Sequence, residues 1–413
     1  MTSSADDAAA AVALLRRPET VRARCGGLLA LAEADRLEHF ALRAERLDAA
    51  AGYVVETIRE RHPDLAVPYH ARWRHFAAGG RDRWGALATA LGDSNPARVA
   101  RLRVELCAVS VLLDAGAGAA WSYTEPDTGD VMRRSEGLAV ASFHAFRAGL
   151  FSRHRTARPL RADAEGLLYL DAAKLGRAFQ VGPENPLEGL DGRAALMRSL
   201  GAALRDRPDL FGTNPPRIGG LYDYLLKQRT TGGLPARAIL AAVLDGFGPI
   251  WPGRIALGGV GLGDVWRHPL AAPEGPAPGL VPFHKLSQWL AYSLVEVFED
   301  AGVPVTGLDD LTGLPEYRNG GLLLDLGVLA LRDPALAAAP LPVEHEAVVE
   351  WRALTVALLD RLAGRVRELL GRPDMPLARI LEGGTWAAGR RVAAALRPDG
   401  GPPLNVLSDG TVF

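Results

Sequence analysis

The chain has 413 residues, of which 48% are hydrophobic and 23% are charged, and its formal net charge is −1. This length allows one large domain or two or three ordinary ones, and the near-zero charge excludes a general attraction to nucleic acid or to acidic membranes. Two cysteines cannot form a disulfide framework or a metal site alone, so a reducing, cytoplasmic setting is expected. The N-terminal stretch is acidic where a signal peptide needs positive charge, and no apolar run is long enough to span a bilayer.

The first half of the chain has the apolar spacing of amphipathic helices. Pro18 occupies a first-turn position of a helix predicted to extend to about Phe40, and the next helix is predicted to stop before Pro63. A further helix is predicted over residues 99–113. Alternating β patterns are nearly absent and no repeat period is visible. The predicted fold class is therefore mostly α, in a single large helical domain with few short strands.

Residues 67–84 interrupt the helical pattern by mixing basic and aromatic side chains. Arg72, Arg74 and His75 alternate with Trp73 and other aromatic residues. Two interpretations remain open. The cations could stack on the aromatic rings and hold two elements together, or they could form an anion-binding wall for a phosphate or carboxylate.

Residues 121–146 combine aromatic and charged side chains with the start of a new helix. Trp121 and Tyr123 could stack on a substrate or belong to the core. Ser135 is predicted to cap the helix, and a helix start aimed at a cavity offers unpaired N–H groups to an anion. The candidate substrate-binding residues of this stretch are Trp121, Tyr123, Arg134, Ser135 and Glu136.

The best linker candidate is residues 208–220, which are rich in Pro, Gly and Asn. The elements predicted on either side are of the same type, so one continuous domain over residues 1–413 is predicted. The glycine-rich residues 252–269 lack both the dinucleotide-binding and the phosphate-loop patterns. Asp264, Trp266 and His268 are predicted there as polar residues held by a tight turn.

The stretch VPFHKLSQWLAYSL, residues 281–294, places polar groups among leucines and aromatic residues. His284, Lys285 and Gln288 lie close to Tyr292 in a segment where a plain core helix would be apolar on one face. We interpret it as a helix start that presents polar groups at the mouth of a buried site.

Residues 310–333 carry Glu316 and Arg318 in a turn before a helix that holds Asp325 within an apolar run. An ionised Asp on such a face is destabilising unless it is paired, so Asp325 is expected to have a partner such as an arginine. Residues 348–369 are predicted to form the longest helix of the chain. The tail remains apolar to Phe413 and is expected to pack back on the body.

Ten stretches together resemble the uracil catabolism protein 4 family over nearly the whole chain. They are HARWRHF, RSEGLAVASF, NPLEGLDGR, IWPGR, LGDVWRHP, VPFHKLSQWLAYSL, DLTGLPEYRNGGLLLDLGVL, EWRALTVALLDRLA, and GGTWAAGR with SDGTVF at the end. The resemblance implies participation in a uracil-degrading route that converts uracil to a ribonucleotide, opens the ring and later releases urea.

A more distant resemblance, in the order of Trp121, RSEGLAVASF, NPLEGLDGR, RAILAAVLDGFG, SQWLAYSL and PEYRNGGLLLDLGVL, is to the queuosine salvage protein family. Members of that family are N-glycosidases that hydrolyse a modified ribonucleoside or its 5'-monophosphate on an all-helical fold related to helical DNA glycosylases. This resemblance implies that fold and a related reaction. Where that family has an Asp at the reacting centre, this chain has FHKLSQ, which contains no carboxylate.

Cleavage of a ribosyl N–C bond creates an oxocarbenium-like sugar, so a site of this kind needs a carboxylate near C1'. One carboxylate at about 4 Å contributes roughly 4 kcal/mol at an effective dielectric constant near 20, on the order of a thousandfold in rate. The candidate carboxylates, in order, are Glu316, Asp264, Glu125 and Asp325. The structural alternatives are a turn carboxylate paired with Arg318 for Glu316, a helix cap for Asp264 and a buried ion pair for Asp325.

The other predicted groups serve the leaving urea and the rest of the substrate. Lys285 or His284 could donate to a ureido leaving group, and Arg134, Arg318 or residues 72–75 could bind a 5'-phosphate. The remaining candidate substrate-binding residues are Arg74, Trp266, Gln288 and Tyr292.

The two resemblances, together with the acidic and basic residues at helix starts, therefore imply an N-ribosidase that cleaves ribosylurea or its 5'-phosphate to urea and ribose or ribose phosphate. Two alternatives remain open: a metal-dependent amidohydrolase acting on a ureido intermediate, and a non-catalytic partner of the pathway. His70, His75 and His268 could bind a metal, but no HExxH or other close His spacing exists, so neither a metal nor a cofactor is expected. The expected partner is a small ribosyl or ureido substrate, with no nucleic acid or membrane, and the oligomeric state is left open.

Overall fold

The computed structural model describes residues 4–93, 95–252 and 254–407, without the side chains of Ser4 and Ala5. These residues divide into two compact units. Unit 1 takes in the described parts of Met1–His70, Ile255–Gln288 and Gly307–Leu407, and unit 2 those of Ala71–Arg254 and Trp289–Thr306. Over this part of the chain, no helix is both long and apolar enough to cross a bilayer.

The prediction of a mostly α fold with only short strands is confirmed. The described helices are α1 (Ser4–Leu15), α2 (Pro18–Glu33), α3 (Leu47–Arg61), α4 (Arg72–Phe76), α5 (Arg83–Leu91), α6 (Pro96–Leu112), α7 (Arg134–Arg147), α8 (Ala164–Leu168), α9 (Ala172–Ala178), α10 (Leu190–Asp206), α11 (Pro208–Phe211), α12 (Gly220–Leu226), α13 (Ala236–Phe247), α14 (Lys285–Asp300), α15 (Tyr317–Asp325), α16 (Glu346–Leu370), α17 (Leu377–Arg379) and α18 (Ala387–Leu396). A π-helical segment, Ile380–Trp386, joins α17 to α18.

The strands form isolated two-stranded pairs. In chain order they are β1 (Phe40–Leu42), β2 (Tyr123–Thr124), β3 (Val131–Met132), β4 (Leu234–Pro235), β5 (Ala256–Leu257), β6 (Val260–Gly261), β7 (Val265–Arg267), β8 (Leu280–Pro282), β9 (Val305–Thr306), β10 (Leu329–Leu331), β11 (Pro340–Pro342) and β12 (Asn405–Leu407). Strands β4 and β9 and strands β11 and β12 pair in parallel, and the pairs β1–β10, β2–β3, β5–β6 and β7–β8 are antiparallel.

Unit 1 is organised around α16, which packs against α2, α3 and α15. The ring nitrogen Nδ1 of His345 accepts the N–H of Ala347 at its start, and Gly371 ends it in the left-handed conformation. Its 25 residues make it the longest helix among those described, as predicted. The predicted apolar stripe is buried from Val348 to Val366, whereas Leu369 is exposed.

Two boundaries in unit 1 differ from the prediction or extend it. Helix α2 ends at Glu33 and not near Phe40, because Phe40 begins strand β1 and pairs with β10. The tail does pack back on unit 1 as far as Leu407, because β12 pairs with β11. The rest of the predicted tail, up to Phe413, lies outside the described residues.

Unit 2 is built around α6, whose residues 102–112 are all buried and which packs against α7 and α12. The linker candidate, residues 208–220, lies inside this unit. Buried Glu105 accepts a hydrogen bond from the side chain of Arg217 and another from the backbone N–H of Gly219 at 3.1 Å. The chain passes between the two units after residues 70, 254, 288 and 306. The single domain over residues 1–413 stays a prediction.

Helices α15 and α18 approach closely in unit 1 at Gly389. A Cβ atom at this position would lie 2.3 Å from the carbonyl oxygen of Arg318, so the contact requires glycine. We expect Gly389→Ala to lower the free energy of unfolding by about 1–3 kcal/mol, measured by urea denaturation. Gly364→Ala in α16 is the matched control, because nothing lies within 4 Å of its added Cβ. Equal effects of the two substitutions would contradict the close contact.

Candidate active site

Asp264 is the most heavily bonded of the predicted carboxylates in unit 1. Its Oδ1 accepts hydrogen bonds from Trp266 Nε1 at 2.6 Å and Arg352 Nη1 at 2.8 Å, and its Oδ2 accepts from Arg352 Nη2 and the backbone N–H of Lys285, both at 2.9 Å. Burial alone would raise the pKa of this carboxyl, but the charge and hydrogen bonds of Arg352 outweigh it and hold the pKa well below its ordinary value. This geometry fits the helix-cap alternative, and a catalytic role for Asp264 stays a prediction.

Helix α14 begins at Lys285, as the polar stretch predicted, and Asp264 supplies its cap. His284, immediately before it, has a left-handed backbone with φ of 50°. Its Nε2 donates to the carbonyl oxygen of Leu15 at 2.9 Å. Burial lowers the pKa of His284, so the imidazole is neutral and its donor is already engaged. The predicted role of His284 or Lys285 as donor to the leaving group stays a prediction.

Gln288 ties the first turn of α14 to the loop before α15. Its Nε2 donates to the carbonyl oxygen of Phe283 at 3.0 Å and to Thr312 Oγ1 at 2.6 Å, and its Oε1 accepts the N–H of Thr312 at 2.8 Å. The side chain is fully buried. Its hydrogen bonds fix the loop that leads to Glu316, and its predicted contact with substrate stays a prediction.

Glu316 caps α15 and differs from the other candidate carboxylates. Its two oxygens accept the backbone N–H groups of Arg318 at 2.7 Å and Asn319 at 2.6 Å. The side chain is partly exposed, yet burial raises the pKa of its carboxyl despite these hydrogen bonds and the nearby charges of His70 and Lys285. Glu316 is therefore a partly exposed residue whose carboxylate is held by backbone N–H groups.

The other two predicted residues around α15 have partners of their own. Asp325 forms a two-point ion pair with Arg397 at 2.8 and 2.5 Å, so the expected arginine partner is confirmed. Arg318 donates from Nη1 to the carbonyl oxygen of Gly400 at 2.7 Å, and its guanidinium lies 5.2 Å from the ring of Tyr317.

A histidine–carboxylate pair in the same unit was not predicted. His70 Nδ1 lies 2.7 Å from Glu382 Oε2, and both side chains are buried. Glu382 belongs to the π-helical segment, a form found often at functional sites. The next residues, Gly383 and Gly384, lie against Val67 and Val54, where added Cβ atoms would be 2.6 and 2.9 Å from side-chain carbons. The sequence signal was an acid before a glycine pair inside an apolar stretch.

Unit 2 holds the remaining carboxylate, Glu125, in a buried ionic network. Arg83 binds it at 2.7 and 2.6 Å, His144 Nε2 lies 2.9 Å away, and Thr128 Oγ1 donates at 3.2 Å. The hydrogen bonds of Arg83, with a smaller contribution from His144, lower the pKa of Glu125 to about 2. A fully bonded, ionised carboxylate of this kind fits a structural role.

The network makes stability depend on pH in a predictable direction. Because the pKa of Glu125 is depressed from 4.5 to about 2, its contribution is complete above pH 4.5 and is lost as the pH falls toward 2. We expect Glu125→Gln to cost about 2–3 kcal/mol of unfolding free energy at pH 7 and less at pH 3, measured by urea denaturation. An undiminished difference at pH 3 would show that Glu125 is not the titrating group.

The aromatic residues predicted in this region are buried. Trp121 donates from Nε1 to the carbonyl oxygen of Phe179 at 3.0 Å and stacks on its ring at 6.3 Å. Tyr123 packs beside His144, and burial raises the pKa of its hydroxyl to about 12. Tyr292, on α14, is also fully buried. These positions fit the core alternative, and stacking on a substrate stays a prediction.

The predicted helix cap in this region is wrong. Helix α7 begins at Arg134, Arg133 occupies the cap position without a side-chain bond, and Ser135 donates instead to Asp114 Oδ2 at 2.9 Å. A serine before an apolar run resembles a cap, but Asp114 offers it a stronger acceptor. Arg134 is exposed and Glu136 is partly exposed.

The cations of α4 bind carboxylates in unit 2. Arg72 is fully buried, lies 3.0 Å from Asp114 and donates to Ser110 Oγ at 2.7 Å. Arg74 binds Glu296 at 2.6 Å. Arg72 also lies over the ring of Trp289 at 5.4 Å. This geometry favours stacking that holds elements together over an anion-binding wall.

The family described as "Protein of unknown function (DUF1688)" matches residues 14–413. The chain belongs to the DUF1688 family. This DUF1688 protein is 39% identical to Protein urg3 of Schizosaccharomyces pombe over 414 residues, which cover 97% of the chain and 99% of the relative. It is 37% identical to Uracil catabolism protein 4 of Lachancea kluyveri over 407 residues, covering 91% and 92%. The resemblance to the uracil catabolism protein 4 family is confirmed, and the one to queuosine salvage proteins stays a prediction.

The predicted site residues of this DUF1688 protein fall into two groups, one in each unit. The unit 1 group is Asp264, Trp266, His284, Lys285, Gln288, Glu316, Arg318 and Asp325, and the unit 2 group is Arg74, Trp121, Tyr123, Glu125, Arg134, Ser135, Glu136 and Tyr292. Within the described chain, arginine binds three of the four candidate carboxylates and leaves Glu316 to backbone N–H groups. Unit 1 therefore holds the better candidate active site.

Proposed function

We propose that this protein is an N-ribosidase of uracil breakdown, which hydrolyses the N-glycosidic bond of ribosylurea or its 5'-phosphate. The name of the relative from Lachancea kluyveri supports the pathway. The observation that carries the reaction is the state of Glu316, a carboxylate with two backbone hydrogen bonds and no arginine partner among the described residues. Arginine pairing would neutralise the charge that an oxocarbenium-like sugar needs.

In this proposal Glu316 acts as the ionised group beside C1'. Its two N–H bonds hold both oxygens in fixed positions at the start of α15. Desolvation keeps its charge unscreened, which strengthens the attraction to a cationic sugar and the polarisation of an attacking water. Water adds to C1' while the C1'–N bond breaks, so the products are urea and ribose or ribose 5-phosphate.

The leaving urea takes up a proton or a strong hydrogen bond as it departs. Lys285 is the proposed donor, since its charge acts on Glu316 and its backbone is fixed by Asp264. His70, whose Nδ1 lies 2.7 Å from Glu382 Oε2, is a second nitrogen donor in the same unit. Arg318 lies in the first turn of the helix that Glu316 caps and is the proposed contact for a 5'-phosphate.

The test is to incubate the purified full chain with ribosylurea and with ribosylurea 5'-phosphate, and to assay urea and the free sugar. We expect one equivalent of ribose or ribose phosphate for each urea. Ammonia released without urea would support the amidohydrolase alternative. Intact substrate in both reactions would contradict any hydrolytic role on these compounds.

A further inference from the structure

A second cluster of polar side chains in unit 1 has no place in the proposed ribosidase reaction. His268 Nε2 lies 3.7 Å from Glu346 Oε1 and 3.5 Å from Glu350 Oε2, and the three atoms lie within 4.8 Å of one another. His268 follows β7, and the two glutamates belong to the first two turns of α16. Imidazole and carboxylates are common ligands of divalent transition metals.

The packing of β7 against α16 brings these residues together. Glu346 and Glu350 are four positions apart and therefore lie on one face of the helix. Asp264 and His268 lie on either side of β7, and Asp264 already binds Arg352 from the same helix. The ion pair thus fixes the strand and helix in the position that places His268 opposite the two glutamates.

Two buried atoms of this cluster have no hydrogen-bond partner among the residues that the structure describes. They are Nε2 of His268, which is 1% exposed, and Oε2 of Glu350, which is fully buried. The other oxygen of Glu350 accepts the backbone N–H groups of Phe40 at 2.8 Å and His39 at 3.3 Å. A buried carboxylate oxygen without a donor is destabilising, whereas a cation would satisfy it together with Nε2. The backbone bonds to the opposite oxygen orient Glu350 in the way that outer hydrogen bonds orient metal ligands.

We infer that His268, Glu346 and Glu350 bind one divalent transition-metal ion, with Zn²⁺ and Mn²⁺ as the best fits. Ligand atoms at about 2.1 Å from a tetrahedral metal lie roughly 3.4 Å apart, close to the 3.5 and 3.7 Å separations in this cluster. The Glu346 side chain is 34% exposed, so an ion has a path to the site and room for a water ligand. A mixed nitrogen and oxygen set suits these metals better than Ca²⁺ or Mg²⁺.

The tautomer of His268 must change when a metal binds. The N–H of Leu270 donates to Nδ1 at 3.3 Å, so the ring proton is on Nε2 without metal. Binding through Nε2 moves this proton to Nδ1 and therefore breaks the 3.3 Å hydrogen bond from the N–H of Leu270, a residue that is 38% exposed.

Isothermal titration of the metal-stripped full chain with Zn²⁺ and with Mn²⁺ tests the inference. We expect one equivalent to bind the wild type, and Glu350→Gln to weaken binding by more than about tenfold, because even outer-shell changes cost about 10–100-fold. Glu38→Gln is the matched control, since Glu38, His39 and Glu346 form a neighbouring cluster on the exposed side. Unchanged metal binding in Glu350→Gln, or loss of metal binding in Glu38→Gln, would assign the ion to the outer cluster and overturn the inference. The absence of saturable metal binding to the wild type would also overturn it.

A spectroscopic measurement on the wild type avoids dependence on a variant that fails to fold. Electron spin-echo modulation of the Mn²⁺-loaded protein is expected to show coupling to one imidazole nitrogen. A spectrum with oxygen ligands alone would overturn the site. Both measurements report binding without any substrate, so their outcome is separate from that of the ribosidase assay.

Discussion

Replacing Glu316 with glutamine is expected to lower kcat for ribosylurea cleavage by about a thousandfold. The substitution removes a negative charge about 4 Å from the developing cation, which is worth roughly 4 kcal/mol at an effective dielectric constant near 20. The glutamine oxygen can still accept an N–H of Arg318 or Asn319, so α15 keeps part of its cap. Steady-state urea release measures the effect, with the unfolding free energy recorded beside it.

Asp325→Asn provides the matched control for this prediction. Asp325 lies on the same helix and binds Arg397, so its loss should lower stability while leaving kcat within about threefold. Because burial raises the pKa of Glu316, wild-type activity should also fall as the pH drops through that raised value. Equal kcat values for the wild type and Glu316→Gln would remove Glu316 from the mechanism.

Replacing Arg352 with methionine is expected to cost about 3–5 kcal/mol of unfolding free energy at pH 7. The substitution leaves the carboxylate of Asp264 buried without its compensating charge. Since the folded pKa of Asp264 is depressed, its contribution is complete above its unfolded value and is lost as the pH falls through the folded one. Urea denaturation at pH 7 and under acid conditions measures both effects.

Two controls isolate this ion pair. The double variant Arg352→Met with Asp264→Asn removes both charges and should recover part of the loss. Asp360→Asn, on the same helix, breaks the partly exposed pair with Arg22 and should cost less than about 1 kcal/mol. If Arg352→Met lowers the free energy of unfolding by no more than Asp360→Asn does, the buried ion pair contributes little to stability.

The sequence allowed good prediction of features that depend on local spacing. The 3.6-residue period identified α16. The apolar surroundings of Asp325 predicted a partner such as an arginine, and the structure identifies it as Arg397. The failures came from distant parts of the chain. Helix α2 stops early because β1 pairs with a strand near residue 330, and Ser135 binds Asp114 because tertiary packing offers a carboxylate.

In the candidate site, too, local features could be predicted from the sequence and long-range contacts could not. Glu316 could be chosen from its place at a helix start, but its lack of an arginine partner among the described residues depends on the folded chain. His70 and Glu382 are 312 positions apart, and no local period links them. The pairing of Asp264 with Arg352 spans 88 positions. Long-range pairing decides which of the candidate carboxylates bind an arginine and which do not.

The π-helical segment determines how α18, the helix that follows it, is rotated about its axis relative to α17. An α-helix turns about 100° for each residue, so deleting one residue from Ile380–Trp386 would swing α18 by that angle relative to α17. With one residue fewer, Glu382 could face His70 or Gly389 could face Arg318, but not both. Single-residue deletions in this segment should therefore be far less tolerated than a substitution at Trp386, the one residue of the segment that is not buried.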